Sequence, residues 1–199
     1  MSRKTAVDAR VDNQAMPKLF SCQVLALLGI VVGLSACQPS LNWRASQLEG
    51  TGLRFELPCK PERVARTVNM AGQALELSVA GCEAGDSVWA VMSTQVSASA
   101  DRSDLLKGWR QATLQNMRAS QSNEAPWQPE RLGILPGAVR VKAQGTSLQG
   151  QAVIAQAVWF SHLEGDSVRL VHAVVYQNKT NRSSHDQSAD QFLESVKLP

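Results

Sequence analysis

The chain has 199 residues, 19% of them charged and 44% hydrophobic, which fits one globular domain with or without a processed segment and excludes a disordered or fibrous chain. The formal net charge is +3. Arg3, Lys4, Arg10, Lys18, Asp8 and Asp12 all precede the one long apolar run, and without them the charge is +1. A domain so near neutrality has no electrostatic footprint for nucleic acid.

The first element is that apolar run. Leu19 to Ala36 reads LFSCQVLALLGIVVGLSA, long enough to raise a transmembrane helix. Lys18 just before it, a short apolar core from Val24 to Val32, and small residues leading into Cys37 point to a signal peptide instead. Leu34-Ser35-Ala36-Cys37 resembles the lipobox of bacterial lipoproteins, L-[AS]-[GA]-C. An uncleaved anchor and an ordinary cleavage site are the alternatives. The resemblance implies removal of residues 1–36, acylation of Cys37 with palmitate-like chains, and a mature chain of 163 residues held at a membrane. Each buried methylene adds ~0.8 kcal/mol to such anchoring. In that family an Asp after the cysteine tends to mean inner-membrane retention. Gln38 therefore leans toward the outer membrane, facing the periplasm. Residues 1–15 are surplus to the pattern, and Met16-Pro17-Lys18 makes a more typical start.

Four cysteines are present. Cys22 falls in the signal peptide and Cys37 is the lipid site. Cys59 and Cys82 remain, an even pair in a compartment where disulfides persist. A bridge between them closes a loop of about 24 residues and constrains the unfolded chain by roughly 3 kcal/mol. There is no CxxC redox motif, and two cysteines without a nearby histidine make a poor zinc site.

Residues 37–50 read as a lipidated tether, and residues 51–199 as a single domain. Trp43 in the tether either docks on the domain or sits at the lipid interface, docking being the ordinary reading. Leu53 to Leu57 alternates apolar and polar, the period of a half-buried strand, and Pro58 and Pro61 end it. Further strands follow over 64–70, 74–79 and 87–96, with turns at Ala71-Gly72 and Gly85-Asp86. In 74–79, Leu75, Leu77 and Val79 share one face. The period then changes. Leu106, Trp109, Thr113 and Met117, widened by Leu105 and Ala112, make the apolar face of a helix capped by Asp101 or Ser103. Residues 121–129 read as a loop. Strands are expected around 131–135 and over 138–144, 152–161 and 167–177. The last two are near-continuously apolar, as strands covered on both faces are. Residues 178–183 read as a loop. Ser184-His185-Asp186-Gln187 matches a capping box. Ala189, Phe192, Leu193 and Val196 then give a second helix ending near Lys197.

No catalytic constellation stands out. Gly85-Asp86-Ser87-Val88 recurs as Gly165-Asp166-Ser167-Val168. The repeat is good hairpin-turn chemistry, with a crude duplication of the two halves as the alternative. Gly-Asp-Ser also resembles the nucleophile block of one esterase family, but Val follows both times and the Asp-x-x-His of that family is absent. A two-residue turn at Gly165-Asp166 pairs position 162 with 169 and 172 with 159. That puts His162 and His172 on opposite faces of the sheet and His172 beside Trp159 as a core histidine. Glu62, Glu76, Glu83, Glu130 and Glu164 are expected on loops or strand edges as solvated groups. Trp127, in a loop between Pro126 and Pro129, is the aromatic best placed for an exposed partner contact, with Trp43 as the second candidate. No cofactor and no metal site is expected.

The order tether, strands, helix, strands, C-terminal helix resembles the PsbP-like sandwich. The matching text is Phe55-Glu56-Leu57-Pro58-Cys59-Lys60-Pro61 and Phe192-Leu193-Glu194-Ser195-Val196-Lys197-Leu198. Leu41-Asn42-Trp43-Arg44 and Gly81-Cys82-Glu83-Ala84-Gly85 add a resemblance to a group of uncharacterised proteobacterial envelope lipoproteins. The expected fold is α+β, an antiparallel sheet with two helices packed on it. Because PsbP-like domains are mostly noncatalytic, the resemblance implies a binding or assembly module for an envelope protein and no enzyme. A small-ligand carrier, using a Trp-lined cleft between sheet and helix, is the alternative.

Overall fold

A computed structural model describes residues 41–70, 72–147, 149–178 and 183–199. The expected signal peptide and Cys37 lie outside the described residues. The described chain forms β1 (Arg44–Gln47), β2 (Arg54–Leu57), β3 (Glu62–Met70), β4 (Gln73–Ala84), β5 (Ser87–Ser97), α1 (Arg102–Asn116), β6 (Gln121–Pro126), β7 (Val139–Thr146), β8 (Ala152–Glu164), β9 (Ser167–Asn178) and α2 (Ser183–Glu194). The fold is α+β, as expected. Seven strands make one antiparallel sheet in the order β3-β4-β5-β9-β8-β7-β6, and β1 and β2 make a separate pair.

The apolar runs of β8 and β9 are buried at almost every position because a helix covers each face of the sheet. On one face, Leu105, Leu106 and Trp109 of α1 pack on Ala157, Trp159, Leu170 and Val174. Leu75, Leu77 and Val79 of β4 line this same face. On the other, Ala189, Phe192 and Leu193 of α2, with Val196 just beyond its end, pack on Trp89, Val158, Phe160 and Val171, flanked by Leu53, Phe55 and Leu57. Asp101 is the cap of α1, its carboxylate accepting the N–H groups of Ser103 and Asp104, which satisfies donors with no partner inside the helix.

Four segments depart from the sequence reading. Residues 44–47, assigned to the tether, form β1, paired with β2 from Arg44 opposite Leu57 to Gln47 opposite Arg54. Backbone pairing holds this short polar strand, so it leaves no periodicity to read. Residues 121–126, read as loop, are an edge strand with every side chain exposed, which again erases the alternation. The strand expected around 131–135 is absent; turns at 130–132 and 136–137 occupy that stretch, with Gly133 and Gly137 at φ +66° and +75°. Helix α2 begins at Ser183, so Ser184 lies inside it rather than at its cap.

The two Gly-Asp-Ser hairpins close with Ala84 opposite Ser87 and Glu164 opposite Ser167. In the first, both Gly85 and Asp86 have φ of +58°; in the second, only Gly165 is left-handed, at +61°. The same text thus makes two different turns. A rotation exchanging β5 with β9 would put both following helices on one face. They lie on opposite faces, so the echo is turn chemistry.

Candidate functional site

The residues singled out from sequence separate once placed. Cys59 and Cys82 are bonded, Cα atoms 6.0 Å apart, tying the segment before β3 to β4. Trp127 is not an exposed contact: it is 4% exposed. Its flanking prolines do mark a loop, but the loop folds back over the sheet. The Trp127 N–H donates to the Ala138 carbonyl, the ring packs on Phe160 at 5.3 Å, and the indole Nε1 donates to Glu194. Trp43 is half-buried and meets Trp89 edge-on at 5.7 Å, docked as expected. Trp89, Trp109 and Trp159 are also buried, so these tryptophans fill the core.

Ser87 is buried with its hydroxyl donating to the Gly85 carbonyl, and the Ser167 hydroxyl donates to the Glu164 carbonyl. Both are turn residues, and neither bonds a histidine. His162 pairs with Arg169 and His172 with Trp159, in the expected register. His172 is fully buried, stacked on Trp159 at 4.0 Å and met edge-on by Trp109 at 5.5 Å. Its Nδ1 lies 3.2 Å from the Val158 carbonyl, which makes Nδ1 the protonated nitrogen and leaves Nε2 as an unpartnered lone pair. Burial lowers its pKa to about 3, with the Val158 bond opposing. The ring stays neutral near pH 7. Glu164 is not a solvated edge group either. It takes both arms of the buried Arg169 guanidinium at 2.6 and 2.7 Å.

Chemistry-bearing side chains do converge elsewhere. On the α2 side of β6, β7 and β8 lies a groove of about 830 Å³. At its base Gln156 is 2% exposed. Its carbonyl accepts from Arg140 at 3.0 Å and its amide donates to Asp186 at 2.8 Å. Lys142 reaches Asp186 at 2.9 Å, and Arg140 is ion-paired to Asp190. The strands supply the cations and the first turns of α2 the carboxylates, where the helix N-terminus favours negative charge. Two cations against two carboxylates leave the groove polar but balanced. A glutamine inside the apolar run Ala152–Ser161 was the one signal of this site in the sequence.

The groove opens onto β6, the free edge of the sheet. Trp127 donates to Ala138 in continuation of the β6–β7 register. By the alternation of antiparallel ladders, odd positions of β6 therefore bond inward and the backbone groups of Ser122 and Glu124 point outward. The side chains of Gln121, Asn123 and Ala125 line the groove. The only charge on β6, Glu124, is held by Arg110 of α1 at 3.0 Å. The opposite edge, β3, carries Glu62, Arg63 and Arg66, the charged guards that discourage strand addition. Among the described residues no three His, Cys, Asp or Glu side chains cluster for a metal, and no helix is long and apolar enough to cross a membrane.

No family model matches this chain, and no curated protein does. Among solved structures it is similar to a Pseudomonas aeruginosa protein of unknown function, at 12% identity and a TM-score of 0.34, the match covering 79% of this chain and 96% of that one.

Proposed function

We propose that this chain is a noncatalytic, lipid-anchored envelope protein, facing the periplasm from the outer membrane, that binds or helps assemble another envelope protein. Its docking surface is the open edge of β6 with the adjoining groove. The observation that carries this reading is the contrast between the two edges: β3 carries Glu62, Arg63 and Arg66 over its first half, while β6, apart from Pro126 at its end and the Arg110-paired Glu124, offers open backbone groups beside a polar groove. An extended segment added to β6 gains main-chain hydrogen bonds from the edge, and its alternate side chains reach Asn123, Arg140 and Lys142. The lipobox at Cys37 supports the location, and the PsbP-like text at both ends of the domain supports a noncatalytic role.

The test is a proline in the edge. Ser122→Pro removes an outward N–H without touching the β6–β7 ladder, as Pro126 already does within β6. Capture of an envelope partner by crosslinking in cells should be lost in Ser122→Pro, with the melting temperature unchanged. Undiminished capture overturns the assignment of the edge. A second reading, a small-ligand carrier, is favoured by a separate cleft between α1 and the sheet.

A further inference from the structure

The cleft between α1 and the sheet has a volume of about 1060 Å³. It lies where the C-terminal end of α1 meets the β4–β5 hairpin and the β7–β8 connection. Glycine makes that meeting close. A side chain at Gly145 would strike the Met117 carbonyl, and that same carbonyl accepts the Thr146 N–H at 2.7 Å.

Three features of the lining point the same way. First, it has an apolar wall of Val88, Met117, Val153 and Tyr176. Val88 is 42% exposed, among the few large apolar side chains left in solvent. Second, a hydroxyl goes unused. Thr146 Oγ1 is buried with no hydrogen-bond partner among the described residues, and such groups call for an explanation in a folded protein. The Tyr176 phenol is largely buried as well, and burial raises its pKa. Third, the charge has one sign. Glu83 and Asp86 stand on the rim, and no lysine or arginine lines the cleft among the described residues. The last turn of α1 carries no basic residue either, and Arg118, just past its C-cap, is not among the residues that line the cleft. In the β6 groove, by contrast, Arg140 and Lys142 answer Asp190 and Asp186.

We propose that this cleft binds a small organic cation with an apolar body, an alkylammonium in its simplest form. The apolar portion lies on Val88, Met117 and Tyr176. The ammonium sits toward Glu83 and Asp86, and the Thr146 and Tyr176 hydroxyls complete its polar contacts. The inference deepens the small-ligand reading and stands on that cleft alone, independent of the β6 edge.

Calorimetry and backbone amide shifts on the lipid-free domain, residues 38–199, test it with three decyl probes below their micelle concentrations: decyltrimethylammonium, decyl maltoside and decyl sulfate. The cation should bind one to one, perturb Val88, Tyr176 and Thr146, and exceed the neutral probe by about three- to tenfold, the scale set by two exposed carboxylates. The sulfate should bind weakest. Glu83→Gln with Asp86→Asn, a pair that keeps a residue tolerant of positive φ at position 86, should erase the preference for the cation and leave the neutral probe unchanged. Equal binding of cation and neutral probe, unchanged preference in the double variant, shifts centred elsewhere, or no binding of the cation would each overturn the proposal. The Ser122→Pro variant should bind decyltrimethylammonium like the wild type, which separates this outcome from failure of the β6 reading.

Discussion

The two faces of the sheet are built differently although each buries one helix. Under the C-terminal half of α2 the contacts are apolar and interlocked: Phe192 meets Trp89 edge-on at 5.5 Å, Trp43 meets Trp89 from another side, and Trp127 lies on Phe160. Under α1 the centre is His172 between Trp159 and Trp109, and among the described residues three polar atoms are buried there without partners: His172 Nε2, Trp159 Nε1 and Thr94 Oγ1. Each such atom forfeits its hydration on folding. The α2 face therefore carries the larger share of stability, and the α1 face is where the fold is sensitive to conditions.

Substitutions on the two faces sharpen that contrast. Phe192→Ala removes a fully buried ring and should lower stability by about 3–5 kcal/mol in urea unfolding. Opening Cys59–Cys82, which pins the α2 side to β4, should lower it by roughly 3 kcal/mol, read as a fall in melting temperature under reductant. Acid acts on the other face. The pKa of His172 is about 3 in the folded protein, against the ordinary value of 6.5. Between those values the unfolded chain binds a proton that the native protein does not, so stability is full above pH 6.5 and falls as pH drops toward 3. The loss by pH 5 should be about 2 kcal/mol, and His172→Leu should flatten this part of the stability–pH curve. The smallest effect is at the α1 cap: Asp101→Ala should cost about 1 kcal/mol. If Asp101→Ala, or acid at pH 5, outweighs Phe192→Ala, the ranking of the faces is wrong.

What was legible in the sequence follows from what side chains record. The long strands β8 and β9 and the Ala189, Phe192 and Leu193 face of α2 were readable because burial forces apolar residues into a period or a run, although the helix stops at Glu194 and not near Lys197. The hairpin at Gly165-Asp166 reveals the partner of His172, since its two-residue turn dictates register. Strands β1 and β6 were hidden because their side chains face solvent and only their backbones are committed. Trp127 misled because prolines report a loop and say nothing of where it packs. The β6 groove was unreadable as a unit, since Arg140, Gln156 and Asp186 come from three elements brought together only by strand pairing and helix docking.

The most direct test of the docking surface is a photocrosslinking side chain placed in cells at Asn123 of β6 and, separately, at Thr67 of β3. The two positions lie on the same face of the sheet at opposite edges. A docking edge at β6 gives one reproducible envelope partner at Asn123, none at Thr67, and loss of that product when Cys37 is changed to Ala. Identical products at both edges, or none at Asn123, would contradict it.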